Sequence, residues 1–162
     1  NPKLDENQEV EIDDYSIATI EKELIMFCLS GNKEIREFLY ENVNTEWLKS
    51  EMILNIYSNI YIHLTSDKNP NPEIIMNELK IEQERNFMAQ LVFEAEKINV
   101  TIRMAIDCLC RLENDILQEK LEILRNNLKN NANSQEQTHQ IIKEIDLIQK
   151  NQKLLIEKYS NA

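Results

Sequence analysis

Residues 117–159 read LQEKLEILRNNLKNNANSQEQTHQIIKEIDLIQKNQKLLIEKY, and the fold turns on the asparagine run in their middle. Asn130-Asn131-Ala132-Asn133 ends one apolar periodicity, and Ser134 opens another, with Gln137 three residues on. A serine hydroxyl and a glutamine amide at that spacing form a capping box, which satisfies the unpaired amides of a new helix. Before the turn, Leu117, Leu121, Leu124 and Leu128 recur at steps of four, three and four; after it, Ile141, Ile145, Ile148, Leu155 and Tyr159 form a second stripe, interrupted by Gln152. The spacing predicts two long amphipathic helices, roughly 99–130 and 134–159, and a turn this short forces them antiparallel. At 1.5 Å per residue the second helix extends about 40 Å. Such an arm is more than one small bundle can bury, which points to a protein partner rather than to a substrate.

The faces of the arm can be separated. Taking 100° per residue, the stripe from Ile141 to Tyr159 stays within about 40° of one direction, whereas Leu147 and Leu154 lie more than about 120° away. Lys143, Lys150 and Lys158 fall on that outer side, so the surface reads as apolar spots among positive charges. On the partner helix Ile123 is off the stripe and continues the line of Ile116. Scattered surface leucines are ordinary, but grouped on an arm with few neighbours they mark a docking face. The predicted partner-binding residues are Ile123, Lys143, Leu147, Lys150, Leu154 and Lys158.

Working outward, composition sets the class. The 162 residues include 1 Gly and 3 Pro, and Leu, Ile, Glu, Lys, Asn and Gln dominate, which is the composition of an all-α chain. No run of about 18 uncharged apolar residues exists, and no basic segment followed by an apolar one begins the chain. Neither a membrane span nor a signal peptide is expected, and the expected location is cytoplasmic. Cys28, Cys108 and Cys110 fit reduced core thiols: Cys108 and Cys110 are two apart on a helix and point about 200° from each other. His63 and His139 are too scattered for a metal site. The net charge of -11 is uneven, because residues 98–162 hold nine Lys and Arg against nine Asp and Glu, leaving the acidity to the tail and bundle. An acidic bundle repels phosphate backbones, so direct nucleic-acid binding is not expected.

The organisation follows. Residues 1–13 (NPKLDENQEVEID) are acidic and nearly free of apolar side chains, as a linker or tail would be, and the chain begins at Asn1 rather than Met, as a piece of a longer protein would. Residues 14–116 form a helical bundle of about six helices. Ile17, Ile20, Leu24 and Phe27 line the first, with Gly31 as a left-handed C-cap; Ile35, Phe38 and Leu39 point inward from the second. Thr45 caps a third carrying Leu48, Met52, Ile56, Ile60 and Leu64. Asn69-Pro70-Asn71-Pro72 breaks the chain, with Asn71 as cap and Pro72 at the first helical position; a short helix to Leu79 and another over about 82–94 follow. The sixth is the first half of the long helix, apolar round a broad arc of Ile102, Ala105, Ile106, Leu109, Cys110, Leu112 and Ile116. After Leu117 the arc narrows to the hairpin stripe, so one helix leaves the bundle and opens the hairpin of residues 117–162.

Chemistry finds little purchase. Carboxylate pairs at Glu34 and Glu37, Glu78 and Glu82, and Glu94 and Glu96 have no histidine placed for a Glu-x-x-His di-metal site and read as solvated helix faces. With Gly31 alone, no phosphate loop exists. No catalytic, cofactor or metal residues are expected.

Several stretches carry a family likeness: EKELIMFCL at 21–29, the Glu-rich run into FMAQL at 87–91, DCLCRLE at 107–113 leading to LQEKL at 117–121, and IIKEIDLIQK at 141–150. In their order and pattern, over residues 14–159, the chain resembles the C-terminal helicase-binding domain of bacterial DNA primase of the DnaG type. The resemblance implies a bundle subdomain and a hairpin subdomain, the hairpin docking on the N-terminal domains of the hexameric DnaB-type replicative helicase and tethering primer synthesis to the fork. It also implies zinc-binding and polymerase domains upstream, so that this piece is non-catalytic and the acidic tail ends the linker to the polymerase domain. The helicase's own N-terminal domain has a related fold, so a self-association module is the competing reading; a helical-bundle enzyme is the third.

Overall fold

A computed structural model describes residues 17–67, 70–130 and 132–161; the acidic tail, Asn69 and Asn131 lie outside them. The described residues are all-helical, with seven α-helices: α1 (Thr19–Ser30), α2 (Lys33–Asn42), α3 (Glu51–Asp67), α4 (Pro72–Glu78), α5 (Glu82–Ala95), α6 (Ile102–Leu128) and α7 (Gln135–Ser160), and a 3₁₀ turn at Thr45–Trp47. No helix among them is long and apolar enough to cross a membrane.

The helix starts are largely local chemistry. Side-chain oxygens of Asn32, Asn71, Thr101 and Ser134 accept from backbone N–H groups two or three residues on, and Pro72 follows Asn71 at the first turn, where its missing N–H costs nothing. The capping box at Ser134 closes in both directions: the Gln137 amide donates to Ser134 Oγ at 3.2 Å and Gln137 Oε1 accepts from the Ser134 amide at 2.9 Å. In the turn itself Asn130 Oδ1 accepts from Ala132 N–H, and Asn133 Nδ2 donates to the Asn127 carbonyl.

Two starts and stops differ from the sequence reading. Thr45 does not cap the third helix: Asn44 starts the 3₁₀ turn, and α3 begins six residues later, where the buried Glu21 carboxylate of α1 accepts from the backbone N–H of Lys49 (2.7 Å) and Ser50 (3.1 Å). The cap is instead Ser50, whose Oγ accepts from Ile53 N–H at 3.3 Å, five residues beyond Thr45; Glu21 orders the backbone that leads into it. Nor is Gly31 left-handed: its φ is -63° and ψ 150°. Glycine is required instead by close approach, because a Cβ there would meet the Phe27 carbonyl oxygen at 2.7 Å and Ile35 Cγ2 at 2.9 Å.

α1 is the central helix, packed against α2, α3, α5 and α6. It is therefore buried round most of its circumference, with Leu24, Ile25, Met26, Phe27 and Cys28 all in the core, not along one face. Around it lie Leu39 of α2, Ile53, Ile56 and Ile60 of α3, Ile75 of α4, Met88 and Leu91 of α5, and Leu109 of α6. Full burial of each such side chain is worth about 1.5–3 kcal/mol. Ile17 precedes α1 yet is buried, as does Leu48 before α3.

α6 is used on two sides. Ala105, Cys108, Leu109 and Leu112 are buried in the bundle, and Leu121, nine residues beyond Leu112 and so about 180° round the helix, is buried on the opposite side. Ile102 does not join them and is 42% exposed. α7 runs antiparallel to α6: Gln152 Nε2 donates to Asn114 Oδ1 (3.1 Å) and Gln118 Oε1 (3.3 Å), while Lys158 and Tyr159 reach back to Glu113. The register returns the end of α7 to the bundle, where Leu155 and Tyr159 join the main core. The arm is thus less isolated than its sequence suggests: its last turns are core, and the free part is the middle and tip.

Candidate partner-docking surface

On the free part of the hairpin the seam is narrow. Leu121 is fully buried; Leu117, Leu124, Ile141, Ile145 and Ile148 are half-buried, and Leu128 near the turn is exposed. Two helices alone cannot enclose a stripe that a bundle would bury, so the arm keeps apolar surface in water on every side. Gln152 interrupts the seam with a polar layer, bonded to Asn114 and Gln118; a polar residue within an apolar seam specifies register at some loss of stability.

Of the predicted contact residues, Leu147 (58% exposed), Leu154, Lys143 and Lys150 lie on the outside of α7. Leu147 and Leu154 are seven apart and therefore share a line along the helix, with Lys143 and Lys150 beside it. Lys158 does not belong to that set. Its Nζ donates to Glu113 Oε1 at 2.8 Å and Oε2 at 3.0 Å, so it closes the hairpin instead of facing outward; the reason is that the last turns of α7 lie against α6, where a carboxylate is within reach.

Ile123 is 60% exposed but stands apart from the leucines. It lies 200° from Leu121 by helical angle, on the side of α6 that faces away from α7. It continues the line of bundle-facing positions past the bundle's edge, one turn beyond Glu119. The geometry consequently separates Ile123 from Leu147 and Leu154, which the sequence reading had grouped.

Two further exposed residues belong to the arm's surface: Ile142 and Ile156, the latter 69% exposed. They lie on the flank of α7 opposite to Leu147 and Leu154. Ile156 also lines a groove of about 470 Å³ between α1, α6 and α7, with Thr19, Ile20, Cys110, Arg111 and Gln152. Their spacing of fourteen residues in the same phase is the signal that could have found them; it was hidden by the adjacent Ile141 and Leu155 of the seam.

The polar and titratable groups have structural employment. Burial pushes the Cys28 thiol up to about 12 and raises Cys108 as well, which keeps both protonated and poorly nucleophilic. Tyr159 is raised by burial and by its hydrogen bond to Glu113. Lys49 is raised by its hydrogen bond to Glu119. His63 Nε2 lies 2.7 Å from Glu78 Oε2, tying α3 to α4, and Glu84 accepts from Asn55 Nδ2 at 2.9 Å. No cluster of three or more His, Cys, Asp or Glu side chains able to hold a metal occurs among the described residues.

No family model, curated protein or solved structure matches this chain.

Proposed function

We propose that this chain is a non-catalytic interaction module whose hairpin docks a protein partner, and that the partner is a hexameric DnaB-type replicative helicase, met through its N-terminal domains, as the resemblance to the C-terminal domain of bacterial DNA primase implies. The observation that carries the reading is the outer line of α7: Leu147 and Leu154 hold branched apolar side chains in water at heptad spacing, flanked by Lys143 and Lys150. A helix presenting apolar anchors seven apart fits a helical groove, and the lysines favour an acidic rim around it. In this role the module tethers primer synthesis, performed by an upstream polymerase domain, to the fork.

Calorimetric titration against the helicase N-terminal domains tests the reading. Leu147→Glu with Leu154→Glu places two charges in the contact and should weaken binding at least a hundredfold, with the helical circular dichroism unchanged. Undiminished binding would remove α7 from the interface. Sedimentation of the chain alone separates the competing self-association reading: a dimer that the same pair of substitutions dissolves would favour it.

A further inference from the structure

The segment between α2 and α3 is tied on both sides. Beneath it, the Glu21 carboxylate, 3% exposed, accepts from two successive backbone amides, Lys49 and Ser50. Leu48 is buried in the core beside them, and Trp47 packs against it. Above it, the Lys49 ammonium pairs with Glu119 of α6, and the 3₁₀ turn itself packs against α6. Glu119 ties α6 to the bundle, and Ile123 follows one turn later, 60% exposed. One residue, Lys49, thus links a buried carboxylate of the central helix, through its backbone, to the point where the arm leaves the bundle, through its side chain.

We propose that the segment from Asn44 to Ser50 is a brace that sets the angle at which the hairpin leaves the bundle, with Glu21 as its buried anchor and the Lys49–Glu119 pair as its grip on α6. The Lys49–Glu119 pair is exposed on both sides, and such a pair adds little to global stability. Its effect is angular: it acts on α6 where the bundle ends, and a small rotation there is multiplied along the length of the hairpin. The anchor is of a different kind. A buried carboxylate holding two amides fixes the position of the segment itself, since an unsatisfied buried N–H is costly. The proposal does not depend on who the partner is.

Spin labels at Glu94→Cys on α5 and Gln135→Cys at the start of α7, in the full chain with Cys110→Ser, report the angle as a distance distribution by double electron–electron resonance. The braced chain should give one narrow distance. Glu119→Ala, which removes the grip alone, should broaden it at least twofold, as should 1 M salt, where the screening length falls to about 3 Å. Glu21→Ala should broaden it further, and Glu21→Gln, which keeps an acceptor oxygen, should restore part of the narrowness. Lys33→Ala, which breaks an ion pair within α2, should leave it unchanged. A distribution equally narrow in Glu119→Ala and in folded Glu21→Ala, or already broad in the unaltered chain, overturns the brace. Should Glu21→Ala fail to fold, Glu119→Ala decides by the same criterion.

Discussion

The two halves of α6 make opposite use of one continuous helix. In the first half the bundle encloses Ala105, Leu109 and Leu112 while Cys110 turns toward the groove shared with α7, so the helix has neighbours on two sides. In the second half α6 runs along α7, with Glu119 paired to Lys49, and Leu121 is buried while Ile123 and Leu128 remain in water. The helical backbone runs unbroken across Leu117. What changes is the number of surfaces around the helix, and that number decides whether an apolar residue is core or interface.

The comparison can be broken most forcefully at its apolar positions. Leu109→Ala in the bundle half should cost about 3–5 kcal/mol, because the enclosed site cannot collapse, whereas Leu128→Ala near the tip should cost less than about 1 kcal/mol. Chemical denaturation followed by circular dichroism measures both, and equal losses would erase the distinction between the halves. Next in size, Gly31→Ala should cost about 1–3 kcal/mol through overpacking. The backbone carbonyl of Phe27 lies 2.7 Å from the new methyl and has no rotamer to escape into. Glu21→Ala should lose a similar amount, about 1–3 kcal/mol, by leaving two part-buried amides without their acceptor.

Alkali sharpens the comparison from another direction. Cys28, Cys108 and Tyr57 are raised by burial in the bundle, and Tyr159 at the bundle end of the hairpin is raised by burial and by Glu113. For each, the folded value exceeds the unfolded one, so the stabilisation is complete below the unfolded pKa, about 8.5 for a thiol and about 10 for a tyrosine. It is lost as pH rises beyond that toward the folded value. The urea midpoint should therefore fall above about pH 9, and Cys28→Ala should flatten the first part of the fall; a midpoint level from pH 8 to 11 would contradict the burial. Smallest of all, Tyr159→Phe should cost about 0.5–1.5 kcal/mol at neutral pH by removing the bond to Glu113, with its effect seen in hydrogen exchange at the end of α7 before it appears at the tip.

Much of this was legible in the chain. Asn71-Pro72 and Ser134 with Gln137 announce their helices because their caps act within three residues. Leu117, Leu121 and the isoleucines of α7 announce the hairpin because helical periodicity is set by geometry close to the chain. Glu21 was not legible as the anchor of the segment before α3, since it serves amides 28 and 29 residues away and nothing local marks it. Lys158 was placed outside because a helical angle counts directions without neighbours; Glu113, 45 residues earlier, supplied the neighbour. Ile123 and Leu147 were grouped because both lie off a stripe, although they lie off it on different sides.

By itself, then, the sequence determined the helical class, the turn at the asparagines and the antiparallel hairpin, all consequences of backbone capping and a 3.6-residue repeat that operate over short spans. Tertiary structure decided that α1 is enclosed on nearly all sides, that Leu155 and Tyr159 return to the core, and that Lys49 joins a buried carboxylate to the base of the arm. Those depend on which surfaces meet, and a surface's partner is a property of three-dimensional packing that no single helix encodes.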